Sequence, residues 1–162
     1  CQNSLCLNVR RELGDLTWLE LLKDPPLRVA TSTIGSDPCG DYAWQMFDRL
    51  TAWDSLLGQD LKQRARMVVG GEHSPAIPPG MQAAAWIIES GLADIFVGYS
   101  SYSHRREHNS QIATVSIPQE LQPSAIYGFA VCDIAAQPLA DFLLSEEARE
   151  ILHQHGFGAA KP

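Results

Sequence analysis

Short apolar runs with strand-like spacing recur along the chain, at residues 4–9, 27–31, 66–69, 94–99, 112–117 and 125–132. Between them, apolar residues at helical spacing predict helices after Asp15 and over residues 38–57, 80–90, 137–144 and 146–155. The alternation of these two periods is typical of an α/β domain in which helices cover a sheet. No internal repeat or low-complexity linker indicates a second domain.

Local capping signals mark the ends of several predicted helices. Asp37 can accept hydrogen bonds from the free amides of a first turn, and Pro38 loses no hydrogen bond at the first helical position. Gly58 is the predicted stop of this helix. Asp15 and Ser145 are predicted to cap two shorter helices.

Two predicted strands lead through a loop into a helix, the first into the helix after Pro38 and the second into the helix after Pro79. In open α/β sheets such loops converge at the carboxyl ends of the strands, where helix N-termini present unpaired amides. The strand that ends at Tyr99 is followed by Ser100 and Ser101, which add hydroxyl groups at the same edge if the strands run parallel. Amides and hydroxyls suit a small oxyanion held by dipoles.

The charge balance is acidic, because 12 Lys and Arg residues stand against 19 Asp and Glu residues and leave a formal net charge of −7. Nucleic-acid binders usually present a basic face to phosphates, so no nucleic-acid partner is predicted. Charged residues interrupt every apolar run, so no membrane-spanning segment is predicted. The chain opens on Cys1 without a basic and apolar leader, so its N-terminus carries no signal peptide that would indicate a compartment.

Cys39 is predicted at a helix N-terminus, where a lowered pKa would make a thiol nucleophilic. Phosphatase-like and arsenate-reductase-like sites that use such a thiol need an Arg a few residues later, and residues 39–45 contain none. A backbone-amide role in oxyanion binding is therefore preferred, and plain helix capping is the alternative.

Residues 104–108 read His-Arg-Arg-Glu-His and match the His-x-x-Glu-His spacing of inverted zinc peptidases. The segment is polar on all faces and lacks the apolar flanks that would bury a catalytic helix. A solvated turn between strands is the preferred interpretation, so no metal site, no cofactor and no catalytic residue are predicted.

Residues 36–43, Ser-Asp-Pro-Cys-Gly-Asp-Tyr-Ala, resemble the Pro-x-Gly-x-Tyr-Ala helix start of the periplasmic molybdate-binding proteins of ABC importers. Their Asp-Pro-Cys-Gly core is similar to the archaeal molybdate/tungstate-binding branch. Three further stretches resemble family motifs and occur in family order: Asn-Ser-Leu at residues 3–5, Ala-Trp-Asp-Ser-Leu at 52–56 and the stretch from 141 to 157. The resemblance covers almost the whole chain.

This resemblance implies a type II periplasmic-binding-protein lobe, with a mixed, mostly parallel sheet flanked by helices on both faces. Residues 1–132 would form the second-lobe ligand-binding domain, and residues 133–162 the C-terminal helices that pack back toward the first lobe. Most of the first lobe is expected to be absent, so weak or no oxyanion binding by this chain alone and a homodimer through the uncovered surface are expected.

The resemblance also implies three oxyanion-binding positions, namely the backbone amides of Cys39 and Met81 and the hydroxyl of Tyr99. Five neighbours are expected in supporting or capping roles: Ser36, Asp37, Gly40, Gly80 and Ser100. The archaeal branch carries a carboxylate where Met81 stands, so tetrahedral binding is expected rather than octahedral. Thr33 and Ile34 replace a common Asp-Pro, which leaves sulfate, thiosulfate or phosphate open as the ligand.

The implied function is capture of molybdate, tungstate or another small oxyanion for an ABC importer, with the membrane permease as partner and a periplasmic or extracytoplasmic location. A ligand-sensing regulatory module of the same fold is the alternative, and an enzyme dependent on zinc or cysteine comes third. No chemical step is expected.

Overall fold

Strands and helices alternate along the chain in the computed structural model, which describes residues 1–102 and 111–159. The strands are β1 (Gln2–Asn3), β2 (Leu5–Arg10), β3 (Val29–Ser32), β4 (Arg66–Val69), β5 (Ile95–Tyr99), β6 (Ile112–Ser116) and β7 (Ala125–Ile126). The helices are α1 (Trp18–Lys23), α2 (Pro38–Trp53), α3 (Ser55–Arg64), α4 (Ala83–Glu89), α5 (Gln137–Leu144) and α6 (Glu146–Gln154).

The central sheet has five strands in the order β4-β3-β5-β2-β6. β3 pairs in parallel with both β4 and β5, and β2 pairs antiparallel with both β5 and β6. Within this sheet β2 therefore runs against the other four strands. The predicted mixed, mostly parallel sheet is confirmed.

Helices pack on both faces of the sheet, as predicted. On one face, α1, α2 and α3 bury Leu21, Phe47 and Leu61 against strand residues such as Leu7 and Ile95. On the other face, α4 packs its apolar residues against Ala30 and Phe96, among others. Alternate side chains of a strand point to opposite faces, so β3 and β5 contribute to both cores. None of the helices in the described ranges has the length and apolarity needed to cross a membrane.

The prediction of one helix to Leu57 that stops at Gly58 is wrong. α2 ends at Trp53, and Asp54 adopts an extended conformation and caps α3 through its side chain. Gly58 lies inside α3, where a Cβ atom would come within 2.5 Å of the Thr51 backbone. The glycine therefore allows α2 and α3 to pack closely and does not end a helix.

The predicted strand at residues 125–132 is also mostly wrong, because β7 ends at Ile126. β7 pairs antiparallel with β1, in the register Gln2 with Ile126 and Asn3 with Ala125. β1 offers only two partner residues, so the ladder cannot continue through the apolar residues that follow. Tertiary pairing overrides local strand propensity here.

Smaller boundary differences have local causes. Thr17 caps α1 in a capping box with Glu20, so the predicted cap Asp15 lies before the helix. α4 begins at residue 83 and not at 80, because Gly80 adopts a left-handed conformation with φ +81. The cap at Ser145 is confirmed, since its side chain accepts from the Ala148 amide.

Asp94 is a buried carboxylate at the amino end of β5, only 5% exposed. Its Oδ2 accepts hydrogen bonds from the Arg28 backbone amide and from Arg28 Nε, both at 2.9 Å. Its Oδ1 lies 3.1 Å from an Arg10 guanidinium nitrogen. The hydrogen bonds from Arg28 hold the pKa of Asp94 below its usual range. The carboxylate thereby ties the starts of β3 and β5 to the end of β2.

We expect Asp94→Asn to lower the free energy of unfolding by about 2 to 4 kcal/mol at neutral pH, because it weakens a buried charge-assisted network. The matched control Asp48→Asn removes an exposed ion pair with Lys62 and should cost less than about 1 kcal/mol. Urea denaturation measures both values.

Wild type and Asp94→Asn also test how the free energy of unfolding depends on pH. The folded-state pKa of Asp94 lies below its unfolded-state value of about 4. The ionised carboxylate therefore stabilises the fold fully above that unfolded-state pKa, and this stabilisation is lost as pH falls through the folded-state pKa. The stability difference between wild type and Asp94→Asn should shrink in that acidic range. Equal losses in the two variants at neutral pH would contradict the assigned role.

Candidate functional site

A cavity of about 380 Å³ opens at the carboxyl ends of β3, β4 and β5. The strand ends contribute Ser32, Val69 and Tyr99, the first turn of α2 contributes Asp37 and Cys39, and the start of α4 contributes Gln82, Ala83 and Ala84. The two strand-loop-helix units therefore converge, as the sequence predicts. Two helix N-termini and three strand ends form one site.

The first turn of α2 lies directly on the end of β3. A Cβ atom at Gly40 would come within 2.5 Å of the Ser32 carbonyl oxygen, so only glycine fits this contact without a backbone shift. Gly40 is buried, and its own amide donates to the Asp37 carbonyl. Its role is close approach of helix and strand.

Cys39 is buried beside the cavity, as expected, but its backbone amide already has a partner. The amide donates to Asp37 Oδ1 at 2.9 Å, which is the side-chain cap of α2. Burial, reinforced by the Asp37 carboxylate, raises the pKa of the Cys39 thiol to about 12. The thiol is therefore protonated at neutral pH, and this geometry gives it no nucleophilic character.

Met81 is placed beside the site, and the residues after it form the wall. Its side chain is 38% exposed, and its amide donates to the Pro78 carbonyl at 3.1 Å. The next residue, Gln82, is the N-cap of α4 and lines the cavity. Gly80 is exposed with open space around it. Residues 82–84 line the cavity and Met81 does not, and the Met81 amide as a ligand contact stays a prediction.

Tyr99 ends β5 and lies at the cavity wall in an aromatic cluster. Its ring centroid is 6.3 Å from that of Tyr42 and 6.1 Å from that of Tyr102, both edge to face. Its side chain also interacts with that of Tyr127. Burial raises the pKa of Tyr99 well above its ordinary value, so the phenol stays neutral and can donate to a ligand.

The serines near these positions lie outside the cavity lining. Ser36 is exposed in the loop before α2. The Ser100 hydroxyl lies 2.7 Å from the Ser4 hydroxyl, and its amide donates to the Ser4 carbonyl. Ser101 accepts a hydrogen bond from the buried Asn3 side chain. These hydroxyls connect the end of β5 to the segment between β1 and β2.

Asn8 lines the cavity and was missed by the sequence analysis. It lies on β2, is 1% exposed, and donates from Nδ2 to the Phe96 carbonyl at 3.1 Å. A polar residue within the apolar run Leu-Cys-Leu-Asn-Val is the signal that could have identified it, because buried polar groups need partners. Gly98 beside it leaves room, since a Cβ there would lie 3.0 Å from Asn8 Nδ2.

The model of the family described as "bacterial extracellular solute-binding protein" matches residues 1–158. The chain belongs to this family. A relative, an uncharacterized protein of Pasteurella multocida (strain Pm70), is 37% identical over 145 residues, which are 88% of this chain and 60% of that protein.

Solved structures of solute-binding proteins share the fold at lower identity. The substrate-binding domain of a protein assigned as a molybdenum ABC transporter of Clostridium difficile has a TM-score of 0.65 at 22% identity. The match covers 99% of this chain and 65% of that chain. Peb3 from Campylobacter jejuni scores 0.67 at 15% identity, covering 98% and 66%. The sulfate-binding protein SubI of Mycobacterium tuberculosis H37Rv scores 0.60 at 20%, covering 99% and 57%.

These matches confirm the type II periplasmic-binding-protein fold of this solute-binding chain. At such identities the likeness to solved structures concerns the fold alone. The chain spans about two thirds or less of the length of these relatives.

The charge in the described wall of the cavity comes from an acid. Asp37 is the ionisable acid that lines it, and no Lys, Arg or His does so within the described ranges. The same ranges hold no group of three His, Cys, Asp or Glu side chains that could bind a metal ion. Residues 104–108, with the zinc-peptidase spacing, lie outside the described residues.

The thiols of this solute-binding chain should differ sharply in reactivity. Four free cysteines are present among the described residues, with Cys39 buried and Cys132 exposed. We expect iodoacetamide at mildly alkaline pH to modify Cys132 rapidly and to leave Cys39 intact, because thiolate is the reactive form. Peptide mass spectrometry measures both sites, and guanidinium-unfolded protein is the control in which both react. Equal rates in the native protein would disprove the protonated, buried state of Cys39.

Proposed function

We propose that this chain binds a small oxyanion in the cavity at the carboxyl ends of β3, β4 and β5. The observation that carries the proposal is the convergence of the 16-residue helix α2, the start of α4 and the neutral Tyr99 hydroxyl on one cavity of a solute-binding chain. Helix N-termini and hydroxyls are suitable donors for such an anion. Tyr99 is the proposed hydroxyl donor. The amides at the start of α4 are the proposed backbone donors, because the Cys39 and Gly40 amides of α2 already donate to Asp37.

The structural neighbours support an anionic ligand class. One is assigned to molybdenum transport, another is a sulfate-binding protein, and a further structure of Peb3 is bound to L-phospholactate. Molybdate and tungstate, which the sequence motifs imply, therefore stand beside sulfate and phosphate as candidates. The cavity, at about 380 Å³, is large enough for each of them.

The proposed role is capture and delivery without a chemical step. Members of the family are extracellular solute-binding proteins, so we propose that the chain acts in the periplasm or another extracytoplasmic space and passes its ligand to the permease of an ABC importer. The protonated Cys39 thiol supports binding over nucleophilic catalysis. Because the chain spans 60% of its Pasteurella relative, further ligand contacts from outside the chain are part of the proposal.

We expect Tyr99→Phe to weaken oxyanion binding by roughly ten-fold to a hundred-fold, since it removes one hydrogen bond to a charged ligand and keeps the ring. The matched control is Tyr42→Phe, because Tyr42 packs against Tyr99 but does not line the cavity. Calorimetric titration with molybdate, tungstate, sulfate and phosphate, extended to millimolar anion, measures the effect. Silence for all four anions would overturn oxyanion binding by this chain alone, and equal losses in the two variants would contradict the role of Tyr99.

The domain assignment is a second part of the proposal. Residues 1–132 form the ligand-binding lobe, and residues 133–162 hold C-terminal helices whose apolar side chains contact a first lobe. Ile134, Leu139 and Leu144 are 83%, 60% and 61% exposed, which supports an uncovered contact surface at α5. Large exposed apolar patches usually mark interaction surfaces.

In this chain alone, the same surface is proposed to pair two copies. We expect sedimentation velocity to show a monomer–dimer equilibrium that Leu139→Lys shifts toward monomer, because a charge there would be buried on pairing. Ile126→Lys, at an exposed apolar position on β7, is the control for added charge. A monomer at every protein concentration would rule out the dimer.

A further inference from the structure

Asp37 brings a carboxylate to the wall of the cavity and is held there from two sides. Its Oδ1 accepts the Cys39 amide at 2.9 Å at the start of α2. On its other side lies Gly70, at the end of β4, where an added Cβ atom would come within 2.7 Å of Asp37 Cβ and Oδ2. The glycine leaves room for the acid, so the carboxylate is part of the packed site.

This carboxylate uses part of the positive potential that α2 would otherwise offer to an anion. It satisfies one of the free amides of the first turn, and it lies where the helix dipole favours negative charge. Asp37 forms no ion pair with Lys or Arg in the described ranges, and the lining residues described there add no cation. A ligand that enters the cavity therefore meets a negative group and hydrogen-bond acceptors.

Gln82 adds an acceptor to the cavity lining. It lines the cavity at the N-cap of α4, and its Oε1 is buried without a hydrogen-bond partner among the described residues. An unpaired buried acceptor is satisfied when a donor arrives. Asp37 and Gln82 thus both favour a ligand that carries a hydrogen-bond donor.

A fully ionised oxyanion such as sulfate or molybdate has only acceptors, so its oxygens repel the Asp37 carboxylate. Hydrogen phosphate keeps a hydroxyl at neutral pH and can donate it to the carboxylate in a short, charge-assisted hydrogen bond. The remaining phosphate oxygens can accept from backbone amides and from Tyr99. The two kinds of anion have similar shapes and differ mainly in this one proton.

We propose that Asp37 is a specificity-determining residue that favours oxyanions carrying a proton donor, with hydrogen phosphate as the simplest example, over fully ionised sulfate and molybdate. The inference rests on the oxyanion-binding function proposed above and names the substrate class of the same cavity. It places selectivity in a carboxylate and not in cavity size.

The test is titration of wild type and Asp37→Asn with inorganic phosphate, sulfate and molybdate at neutral pH. Asn caps helices about as well as Asp, so the fold is retained, and a thermal unfolding curve verifies it. We expect wild type to prefer phosphate, and the variant to shift the ratio of phosphate to sulfate affinity by at least about ten-fold toward sulfate, as loss of one charge-assisted contact predicts. Asp37→Ser, which also supplies a cap, is the second variant.

The matched control is Asp41→Asn. Asp41 lies one turn further along α2 and caps the Gly35 amide at 2.8 Å, but it does not line the cavity. The Asp41→Asn substitution removes one negative charge from the same end of the helix. Because Asp41 does not line the cavity, this substitution should leave the ratio of phosphate to sulfate affinity unchanged. An equal shift in this control would assign the effect to general charge and overturn the proposal.

Other outcomes separate this inference from the proposed function. Anion binding with the same ratio in wild type and Asp37→Asn would overturn the inference and leave oxyanion binding standing. Selective loss of molybdate binding in Asp37→Asn would also overturn it, because the carboxylate would then act as a ligand of the metal centre. Silence of every anion with every protein would overturn the oxyanion function itself.

Discussion

The contact between the first turn of α2 and the end of β3 is the constraint on which the cavity depends. Gly40 makes it geometrically feasible, because a side chain there would overlap the Ser32 carbonyl oxygen. Parallel pairing of β3 with β4 and β5 then places three carboxyl ends beside this turn. The result is a pocket formed where these strand ends and helix starts meet. Such a pocket recognises its ligand through fixed dipoles and a small number of polar groups.

Connections behind the cavity link it to the C-terminal part of the chain. The Tyr99 side chain interacts with Tyr127, whose ring packs edge to face on Phe157 at 5.8 Å between centroids. The next residue, Gly158, pairs with Gln2 beside β1. Tyr99, in the cavity wall, is thus linked by a chain of contacts to the two-stranded sheet and to the residues that follow α6. Rearrangement in that region would alter the presentation of the Tyr99 hydroxyl.

Much of the fold could be predicted from local pattern. The spacing of apolar residues predicts the five strands of the central sheet and α5. Side chains that accept hydrogen bonds from free amides predict the helix caps at Asp37 and Ser145. Gly58 and residues 127–132 could not be predicted correctly, because their conformation depends on distant chain segments. A glycine that ends a helix and one that admits a neighbouring helix look alike in sequence. An apolar run becomes a strand only where a partner strand is available.

The sequence by itself determined the alternation of strands and helices, the start of α2 at Asp37 and Pro38, and the turns that meet at the cavity. These features depend on spacing and on side chains within a few residues, so local sequence suffices. Only the tertiary structure decided that the Cys39 amide is occupied by Asp37 and that Asn8 enters from β2. It also decided that Tyr99 interacts with Tyr127. The partner of a polar group is chosen by whichever donors and acceptors folding brings within about 3 Å, and most of these are distant in sequence.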